Sequence, residues 1–107
     1  MINRFQYLQE LSVASPNDTF LLFALAKECE KLQKPLEAMA YYLRLKAVDP
    51  NYVGLYYHLG KLYETQKDDT LAVETYKKGI EICKIAGDRH AASELSGALL
   101  NLVDPDE

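Results

Sequence analysis

The chain lines up with itself at a shift of 34 residues, and that period decides most of what it can become. Pro16 meets Pro50, in the similar settings Ser15-Pro16-Asn17-Asp18 and Asp49-Pro50-Asn51-Tyr52. In the same register Leu22 meets Tyr56, Leu25 meets Leu59, Ala26 meets Gly60 and Lys27 meets Lys61. Glu30 meets Glu64, Ala38 meets Ala72 and Tyr42 meets Tyr76. Large apolar residues fall on large ones, small on small, and charges on like charges. A period of this length marks a supersecondary unit that buries its apolar face by stacking on its neighbours.

Inside each unit the spacing is helical. Leu22, Leu25, Ala26, Cys29 and Leu32 step by three and four, as do Tyr56, Leu59, Gly60 and Tyr63. The second half of each unit does the same with Ala38, Tyr42 and Leu45, then Ala72, Tyr76, Gly79 and Ile80. No useful run alternates as a strand would. Pro35 suits the first turn of a helix, where the missing N–H is not needed. Asp68 or Asp69 can cap the matching helix, and Gly87-Asp88 closes one helix and caps the next. Pro16 and Pro50 end the helices before them. The pattern predicts six helices, over roughly 3–14, 18–32, 35–47, 52–66, 69–86 and 88–103. The tail Asp104-Pro105-Asp106-Glu107 is expected to be solvated and frayed.

These residues resemble the tetratricopeptide repeat (TPR), a 34-residue helix–turn–helix unit. Residues 19–52 supply Leu22, Leu25, Ala26, Cys29, Ala38, Tyr42, Leu45 and Pro50. Residues 53–86 supply Tyr56, Leu59, Gly60, Tyr63, Ala72, Tyr76, Gly79 and Lys84. Cys29 stands for an aromatic residue, Leu45 for a small one and Lys84 for the closing proline. Residues 3–14 look like the second helix of a preceding unit. Residues 88–103 look like a first helix shifted by two, with Ala92, Leu95, Ser96 and Leu99 on its stripe. The resemblance implies an all-α, right-handed TPR helix–turn–helix solenoid of about six antiparallel helices. It implies a single domain over 1–107, with two repeats between two capping helices. Two full repeats and two halves make roughly the three units that stability needs.

Composition narrows the function. The net charge is −4 and no basic run occurs, so general phosphate-backbone binding is excluded. No uncharged run approaches the ~20 residues that span a bilayer. The start, Met-Ile-Asn-Arg-Phe-Gln-Tyr, is too polar for a signal peptide. Cys29 and Cys83 are too few for a disulfide scaffold, and the expected setting is cytoplasmic with both thiols reduced and buried. Enzyme motifs are absent, and His58 and His90 lie too far apart to suggest a metal site. The chain is therefore expected to be no enzyme, with no cofactor and no metal.

What remains is binding. In the family the first helices line a concave groove, and the matching positions carry Phe20, Phe23, Lys27 and Glu30, then Tyr57, Lys61 and Glu64. The last helix would add His90, Ser93 and Gly97. The repeat makes Lys27 equivalent to Lys61 and Phe23 to Tyr57. Paired aromatics beside paired lysines suit an acidic or carboxylate-bearing peptide. The plainer alternative packs the aromatics into the groove wall and pairs the lysines with Glu30 and Glu64. Family members that clamp chaperone-tail carboxylates use lysine, asparagine and arginine positions that read Phe23, Lys27, Lys61, Ser93 and Gly97 here. Only Lys27 is right in kind, and it does not fall on a lysine position, so that ligand is not supported. The expected partner is a protein or peptide. The alternatives are a self-association module, weakly homodimeric through Leu100 and Val103, and a fragment of a longer array.

Overall fold

A computed structural model describes residues 3–103, so the expected frayed tail at 104–107 lies outside the described residues. Among the described residues there are six helices and no strand. They fall into two compact units, one ending at Tyr52 and the other starting at Val53.

The first unit holds α1 (Arg4–Ala14), α2 (Thr19–Lys31) and α3 (Pro35–Val48). The Asn3 side chain accepts from the Gln6 amide at 2.8 Å, and the Gln6 side chain answers at the Asn3 amide, closing a capping box on α1. Asp18 caps α2 through the Leu21 amide at 3.1 Å, and Pro35 opens α3. The core is the predicted stripe. Leu22, Leu25, Ala26 and Cys29 of α2 and Ala38, Tyr42 and Leu45 of α3 are all buried. Leu32 departs from it: it is the C-cap residue just past the end of α2 and is 44% exposed. On the other side of α2, Leu21 and Ala24 join Leu8 of α1 in a cluster flanked by Phe5 and Tyr41.

The second unit holds α4 (Gly54–Thr65), α5 (Asp69–Ala86) and α6 (Arg89–Leu100). Asp68, rather than Asp69, caps α5 through the Leu71 amide at 3.1 Å, and Asp88 caps α6 through Ala91 at 3.0 Å. Helix α4 starts two residues later than expected, because the Tyr52 amide is held in a turn by the Asp49 carbonyl at 3.1 Å. Tyr56, Leu59, Gly60, Ala72, Tyr76, Gly79 and Leu95 are buried as the stripe requires. Tyr63, Ile80 and Leu99 are only half-buried. The buried arc extends beyond the stripe to Leu55, Leu62, Thr75, Ile82 and Ala98.

The two glycines of this core mark close helix crossings. A Cβ on Gly60 would stand 2.2 Å from Cε1 of Tyr76. One on Gly79 would stand 2.6 Å from the Tyr56 Cβ and 2.9 Å from Leu95 Cδ1. The Tyr76 ring thus fills the space that Gly60 leaves, while the base of the Tyr56 side chain and Leu95 share the space at Gly79.

The turns repeat as well. Gln33 and Lys67 are equivalent in the period and share left-handed backbone, with φ of 59° and 62°. Behind them the Lys34 amide reaches back to the Cys29 carbonyl at 2.8 Å, and the Asp68 amide to the Tyr63 carbonyl at 2.9 Å. Gly87, with φ of 76°, makes the same closure before α6. Glycine takes this conformation freely, whereas Gln33 and Lys67 hold it at a cost of roughly 1–2 kcal/mol each.

Candidate peptide-binding site

Each unit carries one version of the same station. In the first, Phe23, Lys27 and Glu30 follow each other at helical spacing along one face of α2. The half-buried Phe23 ring lies 5.2 Å from the Tyr52 ring and meets Tyr42 edge-on at 6.0 Å. Lys27 Nζ sits 5.9 Å from the centre of the Phe23 ring. In the second unit Tyr57, Lys61 and Glu64 repeat the arrangement on α4. Lys61 Nζ sits 5.5 Å from the Tyr57 ring centre and 3.6 Å from the Glu64 carboxylate. A lysine over an aromatic face keeps its charge while laying its stem on an apolar surface.

The glutamates do more than border the stations. Tyr42 and Tyr76 are fully buried, so each phenol needs an internal acceptor. The Tyr42 hydroxyl donates to Glu30 and the Tyr76 hydroxyl to Glu64, an equivalent pair in the 34-residue period. Burial first, then the neighbouring carboxylate, pushes both phenols well above the ordinary tyrosine range. Glu30 and Glu64 therefore tie the first helix of each repeat to the second. The sequence reading placed both beside the lysines and missed this bond. The signal that could have found it is the recurrence of glutamate and tyrosine at the same 12-residue separation in both repeats.

The remaining expected positions scatter. Phe20 is 66% exposed on α2. Tyr57 also lines a cleft of about 150 Å³ between α4 and α6, with Val53, Gly54, His58, Ala91, Glu94 and Leu95. His90 is exposed and pairs with Glu94 at 2.7 Å, while a Cβ on Gly97 would meet nothing within 4 Å. Leu100 is 59% exposed at the end of α6, and Val103 is half-buried just beyond it. Cys29 and Cys83 are free and buried, and burial pushes both thiols up. Among the described residues no three metal-ligating side chains gather, and no helix is long and apolar enough to cross a membrane.

The comparisons agree with the repeat geometry. A domain described as a tetratricopeptide repeat domain protein, from Salinibacter ruber, is 42% identical in its crystal structure, with a TM-score of 0.77 over 79% of this chain and 94% of that one. A solution structure from the same organism is also 42% identical and gives 0.77 over 82% and 89%. A protein from Bordetella parapertussis shares the fold at 22% identity, with a TM-score of 0.82 over 95% and 89%. No curated protein sequence matches the chain. The family model for the tetratricopeptide repeat matches twice, back to back, at residues 21–52 and 53–85, and the chain belongs to that family.

Proposed function

We propose that the chain is a non-catalytic scaffold in which each of two equivalent stations, Phe23–Lys27 and Tyr57–Lys61, takes an acidic peptide segment. Tetratricopeptide repeats generally mediate protein–protein interaction, which sets the class of partner. The observation that carries the acidic preference is the repetition itself. Both lysines stand over an aromatic ring, and the neighbouring carboxylates of Glu30 and Glu64 each accept from a buried tyrosine, Glu64 while also pairing with Lys61 at 3.6 Å. Incoming carboxylates would meet the lysines, and apolar stems would lie on Phe23, Phe20 and Tyr57. Two buried, free thiols fit a reducing, cytoplasmic setting.

Binding of acidic peptides to the immobilised chain tests this. Lys27→Glu and Lys61→Glu should each weaken binding about fivefold, the ~1 kcal/mol of an exposed charge pair. The affinity should also fall with added salt, as screening of exposed charges requires. Equal binding by the parent and the Lys27→Glu/Lys61→Glu variant would remove the proposal.

The exposure of Leu100 favours a second reading, a weak homodimer through Leu100 and Val103. Light scattering over a dilution series decides it: a Leu100→Glu variant should lose a concentration-dependent dimer. A parent that stays monomeric throughout would end this reading.

A further inference from the structure

The unit that ends at Tyr52 has a second opening, built from α1 and α3 with no residue of α2 in its lining. It is a cleft of about 280 Å³ bordered by Phe5, Gln9, Glu37, Ala40, Tyr41 and Arg44. Phe5 and Tyr41 are half-buried and pack against the Leu8, Leu21, Ala24 and Leu25 cluster, so both rings are braced from behind. Each carries a cation: Lys34 Nζ lies 5.6 Å from the Phe5 ring centre, and the Arg44 guanidinium 5.8 Å from that of Tyr41. Arg44 is held in place by donating from Nη2 to the Pro16 carbonyl at 3.1 Å, which pre-orders its charge. Among the described residues, no carboxylate lies within ion-pair distance of Lys34 or Arg44. Two unpaired cations against the single carboxylate of Glu37 make this spot locally positive on a chain of net charge −4.

The repeat does not explain these residues. Shifted by 34, Glu37, Ala40, Tyr41 and Arg44 become Leu71, Glu74, Thr75 and Lys78. Positions that pack the helix pair are kept between the repeats, as Ala38 and Tyr42 are, whereas the aromatic ring and the small Ala40 that open the cleft occur only in the first. The residues that open the cleft are therefore particular to this unit.

We propose that this cleft is a second protein-docking site, taking an acidic segment of another protein that presents one aromatic side chain. The ring enters between Phe5 and Tyr41 over Ala40, and flanking carboxylates meet Lys34 and Arg44. The site is independent of the α2 and α4 stations. Amide chemical-shift titration of the full chain with the peptide acetyl-Asp-Glu-Phe-Glu-Asp-amide tests it. The expected result is saturable shifts at Gln9, Ala40, Tyr41 and Arg44 that vanish when alanine replaces the peptide's phenylalanine. Ala40→Glu, at an exposed helical position, should abolish them, and Lys34→Glu should weaken them about fivefold. Lys27→Glu/Lys61→Glu should leave them unchanged, which separates this site from the proposed stations. Absence of saturable shifts at these four residues up to millimolar peptide overturns the proposal. So does equal binding by the alanine peptide, or a folded Lys34→Glu variant that binds like the parent.

Discussion

Gly60→Ala is expected to destabilise the chain by about 1–3 kcal/mol, although alanine is the better helix former by about 1 kcal/mol. The propensity gain is outweighed because the new Cβ would stand 2.2 Å from Tyr76 Cε1 and 2.7 Å from Cδ1 and Cζ. Those atoms belong to a fully buried ring whose hydroxyl is anchored on Glu64, so the ring has little freedom to retreat. Gly60→Leu should cost more than Gly60→Ala, since the excess volume enters a close-packed crossing. Urea denaturation of both variants measures this. A Gly60→Ala variant as stable as the parent would show that α4 and α5 can separate at this crossing without loss.

Removing a glutamate acceptor should be nearly as costly. Glu64→Ala leaves the buried Tyr76 hydroxyl without its partner, and Glu30→Ala does the same to Tyr42. An unsatisfied buried hydroxyl costs about 1–3 kcal/mol. Adding Tyr76→Phe to Glu64→Ala should recover part of that loss, because no orphaned donor remains. Alkaline pH reaches the same bonds. Both phenols are raised above their ordinary value of 10, so the folded state keeps protons that the unfolded chain releases. The stability they contribute is fully present below pH 10 and is lost as pH rises above it. The denaturation midpoint should fall steeply there, and Tyr42→Phe/Tyr76→Phe should flatten the fall. Strict additivity in the Glu64–Tyr76 cycle, or an unchanged alkaline slope in the double phenylalanine variant, would contradict the assignment.

The 34-residue register carried the helix pairs and the small residues at the crossings. Each of these leaves a mark in a single repeat that the next repeat confirms. Other features lay beyond that logic. Leu21 and Ala24 are buried against α1, on a side of α2 that the helix-pair stripe does not use; the period repeats Leu21 as the buried Leu55, but both lie off the stripe that the spacing picked out. The Glu30–Tyr42 and Glu64–Tyr76 bonds join two helices, and spacing along one helix does not reveal them. Gln33 and Lys67 carry the left-handed turns with none of the glycine that signals one at Gly87. The aromatic–lysine stations were legible because both members sit one turn apart on one helix. The packing of Tyr52 on Phe23 was not, since it depends on where the chain leaves α3.

The central claim is that Lys27 and Lys61 read acidic peptides, and the most direct measurement is amide chemical-shift mapping with an acidic peptide that contains no aromatic residue. The account predicts saturable shifts at Phe23, Lys27, Tyr57 and Lys61 that weaken with salt and disappear in Lys27→Glu/Lys61→Glu. A peptide that binds while leaving these four residues unperturbed, or that binds the double variant equally well, would contradict it.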